Sequence, residues 1–294
     1  MPDTERGTER RVAEIATATQ AFEGAGFPVR RPFANVDLAA TDPFLLLDEM
    51  GPIDYAPGEA KGAPDHPHRG FETVTYVLDG AMEHRDSTGG GGVIRAGDTQ
   101  WMTAGAGLVH SEEPLEEMLR DGGRMHGLQL WVNLPRAQKM TPPRYQLLSS
   151  DGITKWSDGD GKVVVRLIAG EIGEHRGPGQ THSPITYAHA TLQPGARLDV
   201  PWDPESNALV YVLSGQGRVA GVSIHDGQMA VLGTGDRVVV ESDDALDVLL
   251  LGGRPIREPI AWYGPFVMNT KQEILDAVDD YEAGRLGRIA PQSA

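Results

Sequence analysis

The sequence contains no cysteine, and this absence excludes several kinds of chemistry. Disulfide frameworks, thiolate zinc sites, iron–sulfur clusters and cysteine nucleophiles all require a thiol. Long apolar runs are also missing, because none approaches the roughly 18 residues of a membrane span. Residues 1–20 lack the apolar segment of a secretory signal. We therefore expect a cytoplasmic protein that does not enter a membrane.

Basic residues are scarce relative to acidic ones. Asp and Glu number 42 against 26 Lys and Arg, which gives a formal net charge of −16. A protein that binds DNA or RNA directly normally displays a basic surface that neutralises phosphates. We therefore expect no direct nucleic-acid partner, and the charge favours protein partners over DNA.

Clear helical periodicity is rare, whereas the chain has 37 glycines and 21 prolines. These residues separate short apolar runs that have the pattern of strands, such as ETVTYVL, KVVVRLIAG and ALVYVLSG. Many short strands between turns are typical of a β-sandwich or a β-barrel. The predicted fold class is therefore all-β.

An internal repeat predicts two such domains. The segment TYVLDG at 75–80 recurs as VYVLSG at 210–215, and a Gly-Asp pair follows each copy, at 97–98 and at 235–236. A chain of 294 residues is long enough for two domains of ordinary size. We predict related β-barrels over 28–145 and 146–294. An N-terminal extension over 1–27, with a weak helix at about 9–22, precedes them.

The clearest helix is predicted near the C-terminus, at about 270–283. Thr270 and Glu273 have the spacing of a capping box, and Gly284 stands where a C-terminal cap would be. One face of the helix is apolar and consists of Ile274, Leu275, Val278 and Tyr281. We expect this helix to pack against a barrel and to carry no chemistry.

Two pairs of polar residues have the spacing of metal ligands. His66 and His68 open a predicted strand, and alternate residues of a strand project from the same face. His110 and Glu112 have the same spacing in a later segment that a β-barrel can bring nearby. Three imidazoles and one carboxylate would leave one or two positions of an octahedral ion open for substrate or dioxygen. The pattern therefore predicts a mononuclear metal site.

The segments that contain these residues resemble the pirin family of the cupin superfamily. HPHRGFETVTYVLDG and GDTQWMTAGAGLVHSEEP carry the resemblance, which extends to DPFLLLDEM, GLQLWVNLP and GPFVMNT and covers roughly residues 28–289. It implies two tandem cupin (jelly-roll) β-barrels, with one metal ion, usually iron, in the N-terminal barrel. It also implies that the metal ligands are His66, His68, His110 and Glu112.

Other residues near these segments leave alternatives open. Cupins generally have a glutamate shortly after the paired histidines, and Glu72 stands there, but the pirin pattern uses Glu112. We place Glu72 in a supporting or structural role, although a strand bulge would let it reach the ion. His84 could line the pocket mouth, orient a ligand or lie on the surface. His126 could touch the pocket, and Trp131 is expected in the core or in the cavity wall.

The second repeat lacks the ligand residues. When the repeated segments are aligned, the four ligand positions fall on Pro201, Asp203, Val248 and Leu250. The C-terminal barrel is therefore predicted to hold no metal, and the chain to bind one ion.

The resemblance implies two alternative functions. One is an iron(II)-dependent quercetin 2,3-dioxygenase-type enzyme that opens a small aromatic flavonol with dioxygen, although other divalent transition metals also suit the ligands. Glu112 would then accept the substrate's hydroxyl proton as general base. The other is an iron- and redox-dependent regulatory protein that acts through a transcription factor or a metabolic enzyme.

Overall fold

A computed structural model describes residues 7–290. In chain order its strands are β1 Val12–Thr17, β2 Thr19–Glu23, β3 Phe27–Arg31, β4 Phe44–Tyr55, β5 Ala63–His68, β6 Phe71–Asp79, β7 Ala81–Asp86, β8 Gly91–Arg95, β9 Thr99–Thr103, β10 Leu108–Pro114, β11 Gly123–Asn133, β12 Arg144–Leu148, β13 Thr154–Ser157, β14 Val163–Ala169, β15 Glu171–Ile172, β16 His175–Arg176, β17 Ile185–Leu192, β18 Arg197–Pro201, β19 Asn207–Ser214, β20 Gln216–Val219, β21 Val222–His225, β22 Gln228–Leu232, β23 Arg237–Ser242, β24 Leu246–Gly253, β25 Ala261–Tyr263 and β26 Phe266–Met268. The helices are α1 Leu38–Thr41, α2 Glu116–Asp121 and α3 Lys271–Glu282, with a 3-10 turn at Arg136–Gln138.

The predicted all-β class and the tandem barrels are confirmed. The site unit consists of Gln20–Arg31, Phe44–Ser150 and the chain from Ile256 onward. The companion unit consists of the chain up to Thr19 together with Pro32–Pro43 and Asp151–Pro255. Each unit contains one seven-stranded and one four-stranded antiparallel sheet. Among the described residues, no helix is long and apolar enough to cross a membrane.

In the site unit, the larger sheet has the strand order β12-β9-β6-β11-β4-β3-β2 and the smaller one β5-β10-β7-β8. Apolar side chains from both sheets pack together, with Val77 and Met125 from the larger sheet against Met82 and Ile94 from the smaller. Other inward-facing positions of these sheets contain the polar residues of the site described below.

The companion unit has the orders β1-β22-β19-β24-β17-β14-β13 and β18-β23-β20-β21. Its core is built from aliphatic side chains of both sheets. The repeat alignment is wrong for two of the four ligand positions, because β10 corresponds by sheet order to β23 and not to β24, which carries Val248 and Leu250. Val238 and Val240 of β23 are buried in the companion core, as are Val248 and Leu250. Neither pair of side chains offers a metal-binding atom.

The prediction of a helical N-terminal extension is wrong. Residues 12–17 form β1, which pairs antiparallel with β22 of the companion unit, and β2 joins the edge of the larger sheet of the site unit. Val12 and Ile15 pack against the companion core. The physical reason is that β22 offers backbone groups for pairing, and this tertiary contact overrides the helix propensity of the intervening Ala and Glu residues.

The C-terminal helix is confirmed at α3. Thr270 accepts a hydrogen bond from the Glu273 amide at 3.2 Å, and the Glu273 carboxylate accepts one from the Thr270 amide at 2.8 Å, which completes the predicted capping box. Ile274 is buried, but Leu275 and Tyr281 are exposed, so the predicted apolar face is buried only in part. The buried side of α3 packs against Phe266 and other apolar residues of the site unit, as expected.

A buried lysine links the segment before α3 to the turn that follows His68 through hydrogen bonds. Lys139 is buried, and its Nζ donates to the carbonyls of Gly70 and Val267 at 2.8 Å each and to Asn133 Oδ1 at 2.7 Å. Burial lowers the pKa of Lys139 to about 8. Gly70 has a φ of +91°, and a Cβ there would lie 2.0 Å from the Val267 carbonyl oxygen. Only glycine allows this approach.

Candidate metal centre

Strand pairing brings the predicted ligand segments together. His66 and His68 end β5, and β10 pairs with β5 so that His110 stands directly opposite His66. On its other side β10 pairs with β7, where Glu112 stands opposite His84. Potential ligand atoms of His66, His68 and His110 all lie within 4.8 Å of one another.

The rings of His66 and His68 have an arrangement that suits a shared cation. Nδ1 of His66 lies 2.8 Å from the Pro64 carbonyl oxygen, and Nδ1 of His68 lies 3.3 Å from that of Pro265. A carbonyl oxygen can only accept, so each ring carries its proton on Nδ1 and has a lone pair on Nε2. The two Nε2 atoms face each other at 3.0 Å. Two lone pairs repel at this distance unless a cation binds both.

The separation of the nitrogens also fits one ion. Two nitrogens each about 2.1 Å from a metal, at a right angle, lie about 3.0 Å apart. Nε2 of His110 is buried and has no hydrogen-bond partner in the described part of the chain. Burial, together with the neighbouring imidazoles, lowers the pKa of His68 and of His110 well below the usual value. Both rings are therefore neutral near pH 7, the form that binds metals.

Glu112 is held beside this cluster by three donors. Its Oε1 accepts from Thr75 Oγ1 at 2.7 Å and from Gln100 Nε2 at 3.2 Å, and its Oε2 accepts from Gln129 Nε2 at 2.8 Å. A carboxylate has about four acceptor positions, so about one position on Oε2 remains. Potential ligand atoms of Glu112, His110 and His84 all lie within 4.8 Å of one another. Glu112 does not belong to the corresponding group of His66, His68 and His110.

His84 is fully buried, so the surface alternative for it is wrong. Its Nδ1 lies 3.0 Å from the side-chain nitrogen of Gln100 and 3.3 Å from Nδ1 of His110. Its Nε2 lies 3.4 Å from Oδ2 of Asp86. If Nε2 carries the proton, Nδ1 can accept from His110, and the lone pair of His110 is then on Nε2. The Asp86–His84–His110 chain therefore leaves the lone pair of His110 on Nε2, the atom through which an imidazole can bind a metal.

Neighbouring groups fix Asp86 and His84 in this chain. Burial alone would raise the pKa of Asp86, but hydrogen bonds from His84, Thr88 and the Gly90 amide lower this pKa to about 2. The ring of Tyr145 stacks on His84 with centroids 5.1 Å apart and an interplanar angle of 25°. Burial raises the pKa of Tyr145 to about 12, so its hydroxyl stays neutral.

The remaining candidates lie outside the cluster. Glu72 is buried and accepts a hydrogen bond from Thr103 Oγ1 at 2.6 Å. Nε2 of His126 lies 2.8 Å from Oε1 of Glu49. Among the described residues, neither Glu72 nor His126 belongs to a group capable of holding a metal or lines the cavity beside it.

Sequence reasoning missed the polar partners of Glu112. Thr75, Gln100 and Gln129 each stand at an inward-facing position of a strand that is largely buried. A buried polar side chain needs a hydrogen-bond partner, so an isolated Thr or Gln in such a strand is the signal that could have identified them.

A cavity of about 570 Å³ opens onto His66, His68 and Glu112. Most of its wall is apolar and includes Leu46, Met50, Ile53, Met82, Met118 and Met125. Trp131 lines the cavity, as does Trp262, and their ring centroids lie 5.7 Å apart. The structure therefore places Trp131 in the cavity wall.

Two family models match the chain. The Pirin model matches residues 26–132, and the model of the Pirin C-terminal cupin domain matches residues 187–287. A Pseudomonas aeruginosa protein provisionally named a quercetin 2,3-dioxygenase is 43% identical over 92% of this chain and 96% of its own length. Pirin from Homo sapiens is 41% identical over 96% of this chain and 95% of its own.

Solved structures share the fold. The crystal structure of quercetin 2,3-dioxygenase from Acinetobacter baumannii is 38% identical and covers 96% of this chain and 100% of its own, with a TM-score of 0.91. A bacterial pirin from Escherichia coli in complex with nickel(II) is 22% identical over 82% of this chain and 99% of its own, with a TM-score of 0.62. The length and identity of these matches establish that the chain belongs to the pirin family.

Proposed function

We propose that this protein is a mononuclear iron(II)-dependent dioxygenase that opens flavonol-type aromatic substrates. The observation that carries the proposal is the pair of Nε2 lone pairs on His66 and His68, 3.0 Å apart beside a cavity of about 570 Å³. The similarity to a 38% identical protein described as quercetin 2,3-dioxygenase supports the reaction class.

The proposed ligands are His66, His68, His110 and Glu112. The three histidines bring ring nitrogens within 4.8 Å of one another, and Glu112 is the nearby carboxylate that also lines the cavity. Imidazole and carboxylate together suit iron(II) as well as other divalent transition metals. When bound, the ion would activate dioxygen and lower the pKa of a coordinated substrate hydroxyl.

Glu112 is the proposed proton acceptor. Thr75, Gln100 and Gln129 fix its orientation, and the acceptor position that remains on Oε2 can take the proton of the substrate hydroxyl. These donors also remain in place after the transfer, so the carboxyl group does not need to reorient. Because this one position can hold only the metal or the proton at a time, Glu112 is proposed to bind the metal before turnover and to take the substrate proton in its place.

The cavity suits a planar aromatic molecule. Its volume is within the range of about 300–1,000 Å³ that is usual for small-molecule sites. Trp131 and Trp262 offer aromatic faces, and methionines fill much of the remaining wall. Methionine adapts to the shape of its neighbours and makes favourable contacts with aromatic rings.

Dioxygen uptake by the iron-loaded protein in the presence of a flavonol tests the proposal. We expect uptake that depends on both iron and flavonol and that is lost in the His66→Ala/His68→Ala double variant. The exposed His225 lies in the companion unit, so a His225→Ala variant is the control and should match the unsubstituted protein. If the unsubstituted protein at full iron occupancy takes up dioxygen no faster than the double variant does, the enzymatic proposal is overturned and a regulatory role is favoured.

A further inference from the structure

A row of polar side chains crosses the larger sheet of the site unit. Gln100 on β9 stands directly opposite Thr75 on β6, which stands opposite Gln129 on β11, which stands opposite Asp48 on β4. Directly paired residues of neighbouring antiparallel strands project from the same face. These four residues form what we call the polar row. Its first three members hold Glu112 and the fourth does not, which leaves the role of Asp48 unexplained.

Asp48 forms the second polar end of the cavity. Arg31 donates to Asp48 from Nε at 2.7 Å and from Nη2 at 2.6 Å, and the same Nη2 contacts Glu23. Asp48, Arg31 and Glu23 all line the cavity. One guanidinium lies between two carboxylates, and Lys61 lines the same cavity, so the formal charges of these four side chains balance. The two carboxylates remain acceptors of hydrogen bonds.

Asp48 keeps some capacity to bind a ligand. Each of its oxygens accepts one bond from Arg31, which leaves about one acceptor position on each oxygen. The side chain is only 5% exposed, and this small area lies in a cavity whose walls are mostly apolar. An acceptor in such surroundings strongly favours a ligand that brings a donor to it.

The spacing of the strands sets the length of that ligand. Neighbouring strands are about 4.8 Å apart, so Asp48 lies about 10 Å along the sheet from Thr75, one of the residues that hold Glu112. A molecule of two or three aromatic rings whose hydroxyl binds beside Glu112 would place its far ring near Asp48.

We propose that Asp48 is a specificity-determining residue that accepts a hydrogen bond from a hydroxyl on the substrate's distal ring. This inference rests on the proposed function and narrows its substrate class to flavonols that are hydroxylated on the pendant ring. A hydrogen bond from a phenol to a carboxylate is stronger than one between neutral groups. A pendant ring without a hydroxyl would leave Asp48 desolvated and without a donor, and a methoxyl group would bring only an acceptor.

Binding measurements without turnover test this inference. The metal-loaded protein is titrated anaerobically with flavonols that differ only at the pendant ring, which is unsubstituted, hydroxylated or methoxylated, and quenching of tryptophan fluorescence gives each Kd. We expect the hydroxylated flavonol to bind about 10- to 100-fold more tightly than either of the others. Asp48→Asn should reduce this preference by about tenfold, because the charged acceptor is lost.

Asp54→Asn is the matched control. Asp54 lies on the same strand and loses the same charge, but its side chain is 79% exposed and it does not line the cavity. The preference should be unchanged in this variant. Equal binding of all three flavonols by the unsubstituted protein would overturn the inference without reliance on any variant. An unchanged preference in Asp48→Asn would also overturn it.

Aerobic turnover separates this inference from the proposed function. If the hydroxylated flavonol binds preferentially but is not oxidised, the dioxygenase proposal fails and the role of Asp48 in recognition stands. If the three flavonols are oxidised with equal kcat/KM and bind equally, the dioxygenase proposal stands and the inference about Asp48 fails.

Discussion

At the scale of single residues, the protonation of His66 and His68 is set by the backbone. The carbonyls of Pro64 and Pro265 accept from Nδ1, so both Nε2 atoms face the site as acceptors. Strand alternation alone predicted that these two histidines share a face. It could not predict the carbonyl of Pro265, which is 197 residues beyond His68 in the sequence and comes close to it only in the folded chain.

The first prediction concerns the histidines themselves. We expect His66→Ala, His68→Ala or His110→Ala each to lower metal affinity by more than about 100-fold, beyond the 10- to 100-fold cost of losing a supporting residue. The protein should stay folded, because its large cores do not depend on an ion. Metal content after dialysis and circular dichroism measure the two effects. Unfolding of the metal-free protein at room temperature would contradict the prediction.

The second prediction compares two buried glutamates. Glu112→Gln keeps a neutral oxygen near the metal but removes the proposed base, so metal content should fall in part and turnover by about 10²–10⁴. Glu72→Gln should keep turnover within about tenfold, since Glu72 accepts a hydrogen bond from Thr103 and belongs to neither described group that could hold a metal. Both variants are assayed at the same iron occupancy. Greater damage from Glu72→Gln would mean that the general cupin ligand set applies here.

The third prediction concerns His84 as a positioning residue. His84→Phe keeps a ring to stack on Tyr145 but removes the acceptor that faces His110. We expect a 10- to 100-fold loss of metal affinity, measured by competition with a chelator. Tyr145→Phe, which keeps the stacked ring, should change affinity less than threefold by the same measurement. Equal affinity in His84→Phe and the unsubstituted protein would show that His84 does not orient His110.

At the scale of elements, the sequence predicted α3 well and β1 badly. The capping box and apolar spacing of α3 are local, so they can be recognised in a short window. The secondary structure of residues 12–17 depends on β22, which lies more than 200 residues later in the sequence. Ala16, for example, pairs with Met229. A pairing of such long range leaves no local pattern, and the Ala and Glu content of the segment favours the wrong structure.

The fourth prediction tests how residues just before β1 stabilise the companion unit. Arg10 is buried and donates to the carbonyls of Gly233, Asp203 and Ser206 at 2.9, 2.9 and 2.8 Å. Arg10→Met leaves these three acceptors without their donor, and we expect it to lower the free energy of unfolding by about 2–4 kcal/mol. Urea unfolding measures the change. The neighbouring Arg11 is exposed, so Arg11→Met should stay within about 0.5 kcal/mol.

At the scale of the whole molecule, the internal repeat correctly predicted two similar barrels. Each unit pairs a seven-stranded sheet with a four-stranded one, yet the interiors differ in chemistry. The site unit places His110 and Glu112 on β10, whereas the corresponding strand of the companion unit, β23, places Val238 and Val240 inside an aliphatic core. The repeat alignment matched β5 with β18 correctly, but it set His110 and Glu112 against β24, whereas the order of strands in the sheets matches β10 with β23. The alignment failed there because the chain between the matching strands differs in length in the two units. The polar row could not be predicted, because it depends on the register of four strands.

The last prediction follows from this difference between the units. We expect one tightly bound metal ion per chain, because aliphatic side chains in the companion core offer no ligand atoms. Elemental analysis after passage over a chelating resin gives the stoichiometry and removes ions held weakly by the acidic surface of a chain with net charge −16. The His66→Ala/His68→Ala/His110→Ala variant should then retain close to none, while His225→Ala retains one. A ratio near two, or one ion retained by the triple variant, would place a strong site elsewhere and contradict the assignment of a single centre.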